Sequence, residues 1–227
     1  MAELNLVADL ERRIWGTQVM TMQPELLLVM QHEGALLAGA FTQGGELIAF
    51  VFGFPTRDPH VQHSHALGIL EGHRNAGLGA RLKWWQRAWC LAHGVATVRW
   101  TYDPLRVPNA KLNIHKLGAV AHEYLPNYYG ELTGINAGTP TDRVMAVWHL
   151  SDSRVLDRLE ARSQPMSRDP LVFELPADFG ALQISDPVAA LEWRLRGRAF
   201  LRDAFAQGYQ IAGLQLAPTC AYLLEPR

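Results

Sequence analysis

Arg74-Asn75-Ala76-Gly77-Leu78-Gly79 joins a stretch of strand character to one of helical periodicity, and this junction constrains the fold more than any other part of the chain. Two glycines so close together let the backbone turn through positive φ and let a ligand approach it. At the same point the coming helix offers free N–H groups and the positive end of its dipole, which together can hold a diphosphate. The pattern Arg/Gln-x-x-Gly-x-Gly alone carries little weight, because glycine usage of roughly 7% gives on the order of 0.1 chance matches in a chain of this length. A plain strand-to-helix turn reads the same way, so the flanking elements decide.

Those elements form a β-α-β unit. Residues 63–70 read as a strand ending at Glu71-Gly72; Leu78, Leu82, Trp85, Trp89 and Ala92 then recur at helical spacing until Gly94 stops the helix. Residues 95–102, rich in β-branched and aromatic side chains, read as a second strand closed by Asp103-Pro104. Strands joined in this way run parallel with a right-handed crossover. A dinucleotide-binding unit would want G-x-G-x-x-G and an acidic residue about 20 residues on, and a P-loop would end in Gly-Lys-Ser/Thr. Here the glycines are too few and follow an arginine, and the P-loop ending is missing.

Around this unit, Leu4, Val7, Leu10, Glu11 and Ile14 mark an amphipathic helix ended by Gly16, and Pro24 opens a second over residues 23–32. Strands over 35–42 and 46–54 flank a hairpin turn at Gln43-Gly44-Gly45. A short helix at 109–116 precedes strands at 119–124 and 143–150, and the long loop between those strands, 125–141, is a candidate acceptor-binding segment. Residues 151–162 read as a helix, 163–170 as a linker, and 171–175 as a strand. Asp186-Pro187 then cap and open a helix over 188–207, with a hairpin of 209–216 and 220–224 across Pro218. This βαββ tail is expected to extend the main sheet or to cover a subunit face, and its edge strands predict a homodimer.

A net charge of -1 argues against nucleic acid as the main ligand, so any anion site must be local. With Cys90 and Cys220 alone there is no disulfide framework, and Cys90 reads as a small buried hydrophobe. Charged residues in the first fifteen positions exclude a secretory signal, and no apolar run reaches the ~18 residues of a membrane span. A soluble cytoplasmic protein is expected. His60, His63 and His65 lack the Cys or carboxylate partners of a metal site. Arg194, Arg198 and Arg202 recur at i, i+4 and read first as a solvated helix face, second as a clamp for an anionic substrate.

The turn and its flanks resemble the GNAT acyltransferase superfamily, whose acyl-CoA site is a strand, an R/Q-x-x-G-x-G/A turn and a helix. The resemblance continues in Asn109-Ala110-Lys111-Leu112-Asn113-Ile114-His115-Lys116-Leu117-Gly118-Ala119, which is similar to the superfamily's short helix ending in "K-L-G-F". It covers about two thirds of the chain, to about residue 151. Length, the Asp142-Arg143 strand start and the tail look most like a subgroup with members linked to N-succinylation of amino acids. The resemblance implies an α/β fold: a mixed, mostly antiparallel sheet with a parallel βαβ cofactor unit and flanking helices in residues 1–150, and a C-terminal α/β extension in 151–227. It implies an N-acyltransferase using acetyl-CoA, succinyl-CoA or another acyl-CoA, without a metal, on a small-molecule amine such as an amino acid.

By the same resemblance Arg74, Asn75, Ala76, Gly77, Leu78 and Gly79 hold the pyrophosphate, and the backbone of Leu67 and Ile69 pairs with the pantetheine arm. Asn109 contacts the pantetheine end, or else N-caps the short helix. Many members carry a Tyr two residues before the lysine of that helix, where this chain has Ile114. A thiol of pKa ~8.5 can leave unaided as thiolate. Otherwise Tyr128 or Tyr129 could act as the acid, unless they only close the pocket. His63 and His65 share a strand face, and His65 is the candidate base; Asp103 and Glu71, at strand ends, are weaker ones. A non-catalytic acyl-CoA sensor, having lost acid and base, is the competing reading.

Overall fold

The structure, a computed structural model, describes residues 1–17, 20–74, 76–130, 139–162 and 169–227. The chain forms two units, Met1–Arg99 and Trp100–Arg227.

In the first unit, helices α1 (Ala2–Trp15) and α2 (Pro24–His32) precede strands β1 (Leu36–Phe41), β2 (Leu47–Pro55) and β3 (Val61–Ile69), helix α3 (Leu78–Ala92) and the start of β4 (Thr97–Tyr102). Strand β2 is apolar at nearly every position because both its faces are covered. Phe50 and Phe52 point to Leu4, Val7, Leu10 and Leu27 of α1 and α2, while Ala49 and Val51 pack with Leu82 of α3. The β1–β2 and β2–β3 pairs are antiparallel and β3–β4 is parallel, as the β-α-β reading predicts. Helix α3, however, turns a different face inward. Its buried stripe is Gly79, Leu82, Lys83, Gln86 and Cys90, and Trp85, expected on the apolar stripe, is half exposed.

That rotation is possible because the polar members of the stripe find partners beneath the helix. Lys83 Nζ donates to Ser64 Oγ at 2.8 Å and Gln86 Oε1 at 3.1 Å, and Gln86 Nε2 donates to Gln62 Oε1 at 2.7 Å. Gly53 of β2 makes room for this cluster, since a Cβ there would stand 2.7 Å from Gln62 Oε1. Cys90 is buried as expected, and its thiol donates to Gln62 Oε1.

In the second unit the strand order is β6 (Arg143–His149), β5 (Val120–Leu125), β8 (Tyr209–Gln215), β9 (Ala221–Pro226) and β7 (Leu171–Glu174). Each neighbouring pair is antiparallel. The hairpin of the tail therefore continues the β5–β6 sheet through the pairing of Ala121 with Ile211. Helix α4 (Val107–Ala110) runs on into a π-helical turn, Lys111–Lys116. Helix α5 (Ser153–Leu159) is shorter than predicted, and α6 (Phe179–Ser185), capped by Asp178 through Ala181 N, was not predicted at all. Helix α7 (Pro187–Ala206) starts at Asp186, which caps Ala189 N as expected. Most of the predicted 163–170 linker lies outside the described residues, and so do residues 131–138 of the long loop. Among the described residues no helix is long and apolar enough to cross a membrane.

Candidate functional site

The predicted cofactor turn is built from the end of β3 and the start of α3. After a single 3-10 turn at Glu71–His73 the chain is extended at Arg74, whose Nε donates to Ile69 O at 3.3 Å. Asn75 lies outside the described residues. Gly77 then takes φ +76°, a left-handed conformation that favours glycine, and among the described residues beyond its chain neighbours nothing lies within 4 Å of where its Cβ would be. No side chain caps α3, its first turn carries no acidic residue, and Arg81 N to Gly77 O is the bond that opens the helical series. The N–H groups of Leu78, Gly79 and Ala80 thus lie in the turn where an α-helix has no backbone acceptor of its own.

Strand β3 approaches this turn with its β4-side edge paired over only part of its length among the described residues. Its parallel ladder to β4 is three pairs long, Val61 to Thr97, Gln62 to Val98 and His63 to Arg99, whereas its pairing with β2 runs to Ile69. The side chains of Leu67 and Ile69 pack in the α3-side cluster with Ala49, Val51 and Leu82, which leaves their backbone, apart from the Ile69 O that accepts from Arg74 Nε, as the part able to meet a ligand.

His63 and His65 do share a face, with rings 6.4 Å apart, and both lean on Phe54, at 5.0 and 5.9 Å between centroids. Burial holds both imidazoles below their ordinary pKa; His63, also repelled by His65, Arg99 and Lys83, falls to about 4. Near pH 7 both rings are therefore neutral, and the same burial makes each a weaker base than a free imidazole. His60 makes a different contact, Nδ1 donating to Gly94 O at 3.0 Å.

In the second unit the base of the long loop is tied into a stem. Asn127 Oδ1 accepts from Thr141 N, the single Thr141 hydroxyl proton lies between Asn127 Oδ1 and Gly130 O, and Tyr128 N and Tyr129 N donate to Thr141. This stem positions the two tyrosines, which remain about half exposed, with their rings edge to face at 4.9 Å. The Tyr129 and Thr101 hydroxyls share a hydrogen bond of 3.1 Å, and the guanidinium of Arg143 lies 5.0 Å from the Tyr129 ring centroid.

Asn109 sits inside α4, whose cap position is Arg106, so the capping explanation of Asn109 falls. Ile114, at the place of the superfamily tyrosine, is fully buried within the π-helical turn, and a proton donor is absent from that position.

Of the arginine stripe of α7, Arg202 is exposed as a solvated face would have it, but Arg194 and Arg198 are not. Arg194 is buried and grips both oxygens of Asp103 at 2.8 and 2.7 Å; Arg198 grips both oxygens of Asp142 at 2.9 and 2.7 Å. Asp103 is thereby a structural counter-ion that also accepts from Leu105 N, which takes it out of the running as base. Asp142, fully buried, further accepts from Tyr124 Oη at 2.6 Å and Asn127 N at 2.9 Å. Burial pushes its carboxyl up, but these hydrogen bonds and the Arg198 charge hold it below the ordinary value. None of these pairings has a local sequence signal, because the partners stand 91 and 56 residues apart.

Solved structures of similar architecture include the ribosomal-protein-S18-alanine N-acetyltransferase from Escherichia coli, 18% identical over 67% of this chain and 91% of that one, with a TM-score of 0.54. An aminoglycoside 6'-N-acetyltransferase complexed with coenzyme A is 18% identical over 66% and 92%, at 0.52. The aminoglycoside 6'-N-acetyltransferase from Enterococcus faecium is 16% identical over 66% and 92%, at 0.51. The fold is that of the GNAT N-acetyltransferases. Neither a protein-family model nor a curated protein sequence matches the chain. About a third of the chain lies outside the part shared with these GNAT structures.

Proposed function

We propose that the protein is an acyl-CoA-dependent N-acyltransferase that moves an acyl group from acetyl-CoA or succinyl-CoA to a small amine, with amino acids as the favoured acceptors. The observation that carries this reading is the coincidence, among the described residues, of β3's short ladder to β4 with an uncapped helix start and open space at Gly77. Arg74, Asn75, Ala76, Gly77, Leu78 and Gly79 take the diphosphate, the backbone of Leu67 and Ile69 takes the pantetheine amides, and Asn109 meets the pantetheine end. The amine nitrogen attacks the thioester carbon, the C–S bond breaks, the ammonium proton passes to His65 or to water, and the thiolate leaves unaided or with a proton from Tyr128 or Tyr129. The likeness to GNAT structures supports the general class; the acyl group and the amine rest on the subgroup resemblance of the sequence.

The full burial of Ile114 keeps a second reading alive, a sensor that binds acyl-CoA without turning it over. Thiol release from acetyl-CoA and succinyl-CoA against a panel of amines and amino acids separates the two. Release with at least one acceptor, at a rate rising with pH as the amine deprotonates, is the expected result; tight CoA binding with no release under any acceptor establishes the sensor.

Two further outcomes are expected. A folded Gly77→Val variant should bind CoA at least about tenfold more weakly by calorimetry, because the new side chain fills the approach and valine resists positive φ. Unchanged affinity would remove the basis of the cofactor assignment. In solution a cytoplasmic homodimer is proposed, supported by the exposed Leu171 and Val172 of edge strand β7 and the exposed Val188, Leu191 and Leu195 of α7. Light scattering at micromolar concentration should give twice the mass of one chain, and a monomer mass counts against it.

A further inference from the structure

Four arginines gather in the second unit around two carboxylates. Asp103 is spent on Arg194 and Asp142 on Arg198, each through two hydrogen bonds. Arg106 donates to a neutral partner, Gln183 Oε1, at 3.2 Å. Arg143 makes no ion pair among the described residues; its polar bond is from Nη1 to the backbone oxygen of Asp142 at 2.9 Å. It is nonetheless a partly buried guanidinium, stacked on Tyr129 and close enough to Arg194 and Arg106 to feel their charge, with Asp103 offsetting only part of it. Burial and those neighbours lower its pKa from the ordinary value. A cation withdrawn from water without its own counter-ion is costly, and such a cost is maintained where an anion from outside completes the site.

We propose that Arg143 is the anchor of a carboxylate subsite at the C-terminal end of β4, completed by the hydroxyls of Tyr129 and Thr101. The fixed fork of the guanidinium suits a carboxylate presented to two N–H groups at once, and the Tyr129 ring, held by the loop stem, limits its rotation. Arg106, whose charge is felt at Arg143, adds positive charge and among the described residues is tied to no acid. The inference deepens the acyltransferase reading and rests on it. The carboxylate has two possible sources with one chemistry: the α-carboxylate of an amino-acid acceptor, or the terminal carboxylate of a dicarboxylic acyl donor.

Two substrate pairs distinguish the sources: an amino acid against its decarboxylated amine, and succinyl-CoA against butyryl-CoA. The native protein should prefer the carboxylate-bearing member of one pair. In Arg143→Gln the corresponding ratio of kcat/KM should fall by about 30-fold or more, the scale of a bidentate charge-assisted contact, with Arg143→Lys in between because it restores charge but not the fork. The pair that responds names the source. No preference in the native protein, or a preference that survives in a folded Arg143→Gln, overturns the subsite. Should no thiol be released by any combination, the transferase reading falls by itself, and calorimetric titration with succinate decides the subsite. Binding lost in Arg143→Gln supports it, and no binding to the native protein overturns it.

Discussion

Replacing Asp142 with alanine should lower the unfolding free energy by about 3–5 kcal/mol, the range found when one partner is removed from a buried ion pair. For a chain of this size that is a fall in Tm on the order of 10 °C. The effect is large because a single fully buried carboxylate holds Arg198, the Tyr124 hydroxyl and the Asn127 amide, joining α7, β5 and the loop stem. Its folded pKa is below the ordinary value, so its contribution is complete above the unfolded value of ~3.9 and is lost as pH falls through the folded one. Denaturant titrations should therefore show native and variant proteins far apart at pH 7 and converging below about pH 4. Equal stabilities at pH 7 would mean that the network is not what secures these three elements.

Removing the charge of Lys83 should have the opposite sign. Burial under α3 brings its pKa down from the usual lysine value to about 7, so the folded state is penalised wherever the amine would be charged in water. From pH 7 upward the unfolded chain holds a proton that the folded chain has given up, and stability rises with pH by up to about 1.4 kcal/mol per unit. Lys83→Met keeps the length of the side chain and abolishes the penalty, at a cost of about 1–3 kcal/mol for Ser64 and Gln86 left without their donor. A net stabilisation of about 2–4 kcal/mol is expected at pH 6.5. It should shrink by about 2 kcal/mol between pH 7 and pH 8.5, below the range where Cys90, raised to about 12, adds its own dependence. A Lys83→Met protein less stable than the native one across this whole range would show that the hydrogen bonds outweigh the buried charge.

Those two side chains also mark where reading the chain without a structure stopped working. The β-α-β unit, the β1–β2 hairpin and the capped start of α7 were legible because each is signalled within a few residues, by glycines at positive φ, by Pro after a capping Asp, or by β-branched runs. The inward face of α3 was not, since Lys83 and Gln86 look like solvent positions until Ser64 and Gln62 are known to lie beneath them. Arg194 and Arg198 carried the same ambiguity, because i, i+4 spacing describes a wet stripe and a buried ladder equally well. Helix α6 was missed for its shortness, though Asp178 three residues before Ala181 was a readable cap. Of the candidate site, the turn's glycine could be read directly; the surroundings of Arg143 depend on residues from four distant stretches and could not.

The stem makes Asn127 and Thr141 a pair of fixed anchors. Two ends fourteen residues apart are fastened to each other by side-chain hydrogen bonds, and to the core by Asp142. Closing a longer insert would cost only about 0.6 kcal/mol for each doubling of its length. A change in the number of residues between the anchors would thus come at little cost to folding, provided Tyr128, Tyr129 and Gly130 keep their bonds to Thr141.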